Sequence, residues 1–132
     1  VCNIASPKTG LEAKFSYAQV LALAALGHDT ARLDTFSDAL ARDPDVAALR
    51  DRVQVFPDQG LSETAARVLI TMNGETREAH HDLLTTIPLT RRAAKVRAKA
   101  MALLGADRVD ALHALITENA APEDIGAALC KL

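Results

Sequence analysis

The chain has 132 residues, 49% of them hydrophobic and 24% charged, with 15 Lys+Arg against 17 Asp+Glu for a net charge of -2. That composition excludes a disordered charged tail, carries no basic footprint for nucleic acid, and predicts a single domain with room for a core. With no Trp, one Tyr and three Phe, the core must come from Ala, Leu, Val and Ile, and few aromatics are left to stack on bases. The longest apolar stretch, Ala18 to Leu26, is about half of a membrane span. No charged leader precedes an apolar run, so a cytoplasmic protein with neither membrane nor nucleic-acid partners is expected. Cys2 and Cys130 lie at opposite ends, and in that compartment both are expected to be reduced. The opening on Val1, with no cap or polar leader before Cys2-Asn3-Ile4, leads us to expect further sequence upstream.

Residues 5 to 14 read as a shaped loop, because Pro7 presets φ and Gly10 permits positive φ. From Phe15 to Leu26 nearly every position is apolar, which predicts a helix buried on most sides and stopped by Gly27. Leu33, Phe36 and Leu40 recur at spacings of three and four, as in one or two short amphipathic helices. Asp43-Pro44 reads as N-cap plus first helical position for a helix carrying Val46 and Leu49. The period then changes. Val53-Gln54-Val55 alternates as a short strand, and Ala66, Val68, Ile70 and Met72 form one face of a longer one. Asn73-Gly74 is a strong hairpin signal, with a partner strand from Glu75 to about His81. Beyond Pro88, Thr90 is expected to cap a helix from Arg91 to Leu104, with Ala93, Val96, Ala100 and Leu103 inward and Gly105 past its end. A helix from about Arg108 to Glu118 carries Val109, Leu112, Leu115 and Ile116 inward. The last starts at Pro122 with Ile125, Ala128, Leu129 and Leu132. The predicted class is α+β: helix-rich, with a small antiparallel sheet.

Three clusters could carry chemistry. In Ser6-Pro7-Lys8-Thr9-Gly10-Leu11-Glu12-Ala13-Lys14-Phe15-Ser16, two lysines and two hydroxyls precede a buried helix, where free backbone N–H groups favour a carboxylate or phosphate. The order of Gly, Lys and Thr is not that of a P-loop. A bland reading competes: a turn with solvated lysines and Glu12 as a first-turn acid. His80-His81-Asp82 contains metal-ligand residue types, but neighbours on a strand point to opposite faces, so the two imidazoles do not share one ion. His28 reads as a cap or surface residue and His113 as half-buried. Neither has a Ser, Cys or Asp partner at a spacing diagnostic of a triad. Arg91, Arg92, Lys95, Arg97 and Lys99 read as a solvated helix face.

The string Cys2-Asn3-Ile4 followed by Pro7-x-Thr9-Gly10-Leu11-Glu12-Ala13-Lys14-Phe15-Ser16 resembles the signature of the C-terminal domain of the MmgE/PrpD family. That family includes 2-methylcitrate dehydratase, cis-aconitate decarboxylase and iminodisuccinate epimerase. Leu33-x-x-Phe36, Asp43-Pro44-x-Val46, Val53-x-Val55, Asn73-Gly74 and Pro88-Leu89-Thr90 extend the resemblance over essentially the whole chain. It implies a lyase or isomerase acting on a small di- or tricarboxylic acid with neither metal nor cofactor. It also implies a partner, an all-helical N-terminal domain, with the α+β domain covering the active site between them, and a possible homodimer. Most acid–base residues of the family lie in that helical domain or just upstream of the Cys-Asn motif, so the chain alone is expected to be catalytically incomplete. The implied substrate contacts are Lys14 first, then Gln19, Tyr17 and Lys8. Gln19 stands where the family often has a Tyr, and Tyr17 lies two residues earlier. The family's Gly-Asp-Pro-like loop is replaced by residues 82 to 87. The reading from a different class is a non-enzymatic module that keeps the fold and binds a protein partner.

Overall fold

The computed structural model describes residues 3–130. Short helices come first: α1 (Gly10–Ala13), α2 (Tyr17–Ala25), a 3-10 turn at Asp34–Phe36, α3 (Asp38–Ala41) and α4 (Pro44–Arg50). A hairpin of β1 (Ala65–Met72) and β2 (Glu75–Asp82) follows, then α5 (Leu89–Leu104), α6 (Ala106–Thr117) and α7 (Pro122–Leu129). The α+β class read from the sequence is the observed one. These residues fall into two compact units. One takes in the described residues through Val55 together with those from Ala93 onward, and the other is Phe56–Arg92.

In the first unit, α2 and α4 enclose a small core of Ala22, Leu23 and Val46, with Phe36, Leu40 and Leu49 packed against it. Only one face of α2 is buried, formed by Ala18, Gln19, Ala22 and Leu23. Leu26 is 45% exposed, so the helix is not buried on most sides: its apolar run is wider than the face α4 covers. Gly27, at φ 86°, stops α2. Its N–H donates to Ala24 and that of His28 to Leu23, both at 3.0 Å, which is the Schellman arrangement. The short helices expected around Leu33, Phe36 and Leu40 are the 3-10 turn and α3, although Leu33 is 63% exposed. Asp43 caps α4 by accepting from Asp45 and Val46, with Pro44 in the first turn, as its sequence dictates.

Farther along, α5 starts at Leu89, so Thr90 lies inside the first turn and does not cap it; Arg92 N–H donates to Pro88 C=O at 3.0 Å. No residue of α5 is buried, and Val96 of the expected inward stripe is 64% exposed. Among its basic residues, Arg97 pairs with Asp110 and Lys99 donates to Ala31 C=O at 2.7 Å. Val109 is buried in α6, with Leu112 and Leu115 partly buried, whereas Ile116 and His113 are exposed. Asn119, at φ 51°, closes α6 as Gly27 closes α2. In α7, Leu129 and Cys130 are exposed. Cys2 and Leu132 lie outside the described residues.

The second unit is organised by the hairpin, paired antiparallel from Ala65 with Asp82 to Met72 with Glu75. Asn73 and Gly74 have φ 52° and 81°, the two positive values a type I′ turn requires. At the edge of the first unit, Val53-Gln54-Val55 forms no strand, because three alternating residues carry too little pattern without a pairing partner. Asp82 ties the open end of the hairpin: it accepts from Thr64 Oγ1 at 2.7 Å, Leu84 N–H at 2.9 Å and Ser62 Oγ at 3.1 Å. The hydrogen bond from Thr64, followed by those from Leu84 and Ser62, holds its carboxyl below the usual range.

Candidate functional site

The segment from Asn3 to Ser16 is tied at both ends. Ile4 N–H donates to Phe15 C=O at 2.8 Å, and Tyr17 N–H to Asn3 Oδ1 at 3.1 Å. Asn3-Ile4 and Phe15-Ser16-Tyr17 therefore close one loop that holds the Thr-Gly-Leu-Glu run. Within it Thr9 caps α1. Its Oγ1 accepts from Glu12 N–H at 3.2 Å, while Glu12 Oε2 accepts from Lys8 N–H at 2.6 Å and Thr9 N–H at 3.3 Å. This is a capping box that satisfies orphan amides in both directions.

Gly10 does not adopt positive φ. Its lack of a side chain serves a close approach, since a Cβ at this position would run into the carbonyl of Phe36. The absent side chain lets the loop lie against the 3-10 turn. From α3, Asp38 Oδ1 accepts the Gly10 N–H at 2.8 Å, and Arg42 Nε just beyond the helix donates to Lys8 C=O at 2.8 Å.

These bonds change where an anion can be held. Most of the backbone amides that the sequence offers to a ligand, those of Lys8, Thr9, Gly10, Glu12, Tyr17 and Gln19, are taken by the chain's own acceptors: Glu12, Asp38, Thr9, Asn3, and Ser16, whose Oγ accepts Gln19 N–H at 3.2 Å. At α1 two of these acceptors are internal carboxylates, Glu12 and Asp38, while at α2 they are the Asn3 amide oxygen and the Ser16 hydroxyl; side-chain charge is the main positive feature left for a ligand.

Of the four residues singled out, three reach the surface. Lys8 and Lys14 are exposed, and Tyr17 is 50% exposed. The ammonium of Lys14 lies 5.9 Å from the centre of the Phe36 ring, a cation–π distance that restrains the side chain without neutralising it. Gln19 is fully buried, and its Nε2 donates to Leu40 C=O at 3.2 Å. Its side chain therefore braces α2 against α3, and its single amide donor group is turned inward.

Asp38 and Arg42 escape a reading of the sequence, because their partners in the loop lie 28 and 34 residues away and nothing local marks them. His80 and His81 both sit in β2, opposite Arg67 and Ala66, and so face opposite ways. Among the described residues no three His, Cys, Asp or Glu side chains gather as a metal site. Two shallow concavities, one at the hairpin tip beside Met72 and Arg77 and one between α6 and α7, involve no residue of the loop. Among the described residues no helix is long and apolar enough to cross a membrane.

Residues 1–105 match the family description MmgE/PrpD C-terminal domain. The match ends at Gly105, so α6 and α7 lie beyond it, and the resemblance covers less than the whole chain. No curated protein and no solved structure matches the sequence. The matched span contains the capped loop, the Gly10 contact, the Asp43-Pro44 start and the Asn73-Gly74 turn; the chain belongs to the MmgE/PrpD family, through that family's C-terminal domain.

Proposed function

We propose that this chain is the carboxylate-facing domain of a lyase or isomerase that acts on a small di- or tricarboxylic acid such as 2-methylcitrate. The observation that carries the reading is a pair of exposed lysines, Lys8 and Lys14, flanking α1 on a loop whose backbone is fixed by its capping box. A preorganised ammonium neutralises a substrate carboxylate by a charge-assisted hydrogen bond. Placed beside the carbon that loses its proton, it stabilises the negative charge that develops there. Tyr17, half-exposed and three residues beyond Lys14, is the hydroxyl this reading adds to the two lysines. Gln19 belongs to the support of the loop. Proton transfer in this reading falls to an N-terminal helical domain, which makes the chain a binding half and not a complete catalyst. A cytoplasmic location and a homodimer accompany the proposal.

The purified chain is expected to give no turnover of 2-methylcitrate, cis-aconitate or iminodisuccinate by itself, and turnover of one of them when a helical domain of the family is supplied. Turnover by the chain alone at ordinary enzyme rates, about 1 per second or more, overturns the incompleteness. A second reading, a non-enzymatic interaction module, is favoured by the apolar surface of the hairpin, where Leu69, Ile70 and Met72 are each more than half exposed. Failure of every substrate in the presence of the helical domain would favour it.

A further inference from the structure

We infer that Asp38 and Arg42 are positioning residues of the motif loop, a two-point clamp that fixes the backbone from which Lys8 departs. Asp38 takes the outward amide of Gly10 and Arg42 takes the carbonyl of Lys8, each at 2.8 Å. The two side chains also face each other, with Arg42 3.6 Å from Asp38. One short stretch of chain thus grips two polar groups of the loop two residues apart.

Exposure argues that the clamp serves conformation more than folding. The Arg42 and Asp38 side chains are 61% and 62% exposed, and hydrogen bonds and ion pairs at such sites add little to stability because water replaces them at small cost. What water does not replace is direction. A loop whose Gly10 N–H donates to Asp38 and whose Lys8 C=O accepts from Arg42 keeps one backbone conformation, which is the condition for a lysine to meet a carboxylate without first being ordered. The Phe36 carbonyl against Gly10 sets the distance between the loop and the 3-10 turn, and the Gln19 bond to Leu40 sets that between α2 and α3. The clamp then sets the loop's orientation.

The ligand arm of this inference rests on the carboxylate reading above, so the experiment separates the two. Amide exchange and citrate titration followed by NMR are compared for the wild-type chain, Asp38→Ala, Asp38→Asn and Arg42→Ala. In Asp38→Ala the Gly10 amide should exchange about tenfold faster, the worth of one hydrogen bond, while the core amides of Leu23 and Val46 keep their rates. Asp38→Asn, which retains an acceptor oxygen, should restore the wild-type rate. Both alanine variants should need at least about threefold more citrate at the midpoint than wild type, as ordering of the loop is then charged to binding. An unchanged Gly10 rate in Asp38→Ala overturns the clamp, and so does an unchanged midpoint in both alanine variants where the wild type responds to citrate. If the wild type shows no response to citrate, the carboxylate reading fails, and the Gly10 rates in Asp38→Ala and Asp38→Asn alone decide the clamp.

Discussion

Gly10 shows how one residue couples the loop to the rest of its unit. Its Cα lies against the backbone carbonyl of Phe36, and its N–H is bonded to Asp38. A methyl group here meets main chain, which moves only by displacing the whole 3-10 turn. Gly10→Ala is therefore expected to destabilise the chain by about 1–3 kcal/mol, the range for overpacking a fitted site, as measured by urea unfolding. A loss near zero would mean that loop and turn separate freely. The sequence signals a glycine-dependent feature at this position but suggests the wrong cause. Positive φ is a local property and the usual reason for glycine in a loop, whereas an approach to residue 36 depends on how the intervening chain folds back. Gln19 follows the same logic. On a linear reading it is a polar residue near a lysine loop, yet burial against Leu40 gives its Nε2 an internal partner, while its Oε1 is buried with none among the described residues.

At the scale of elements, starts and stops were the legible part. Asp43-Pro44, Gly27 and Asn73-Gly74 each specify a backbone conformation within four residues, and each does so in the structure. Asn119 ends α6 with the same geometry as Gly27, but Asn is common enough elsewhere that it gives no comparable signal. Three alternating residues at Val53 to Val55 did not suffice for a strand. The inward stripes of α2 and α5 were read as wider than the neighbours that cover them, because periodicity marks an apolar face without saying how much of it is met. The hairpin carries a titration prediction. Asp82 has a lowered pKa in the fold, so its contribution is present above the unfolded value and is lost as pH falls through the lower folded value. Lowering the pH through that folded value, which lies below the ordinary aspartate value of about 4, should release the Leu84 amide. Its exchange protection should fall there in wild type and be weak at every pH in Asp82→Ala. Protection independent of pH would contradict the role of Asp82 as the tie of the open end.

For the whole molecule, family membership was readable from one run of eight residues, Thr9 to Ser16, and the match over residues 1–105 bears it out. The physical basis of that run became visible only with the fold: a capping box, a close glycine contact, and an N-cap serine at 1% exposure for α2. The signature encodes a rigid loop first, and its lysines are what that rigidity presents. Most of the amides open to an anion on a linear reading are closed by the chain's own acceptors, Glu12 and Asp38 among them, and the charge available to a substrate is that of Lys8 and Lys14. The most direct measurement is a citrate titration of the 15N-labelled chain, wild type beside Lys14→Ala. Wild type should show saturable shifts of the loop amides between residues 8 and 17, and Lys14→Ala should lose them or need a midpoint at least about tenfold higher, the scale of one charge-assisted hydrogen bond. Equal shifts at equal citrate in the two proteins would contradict it.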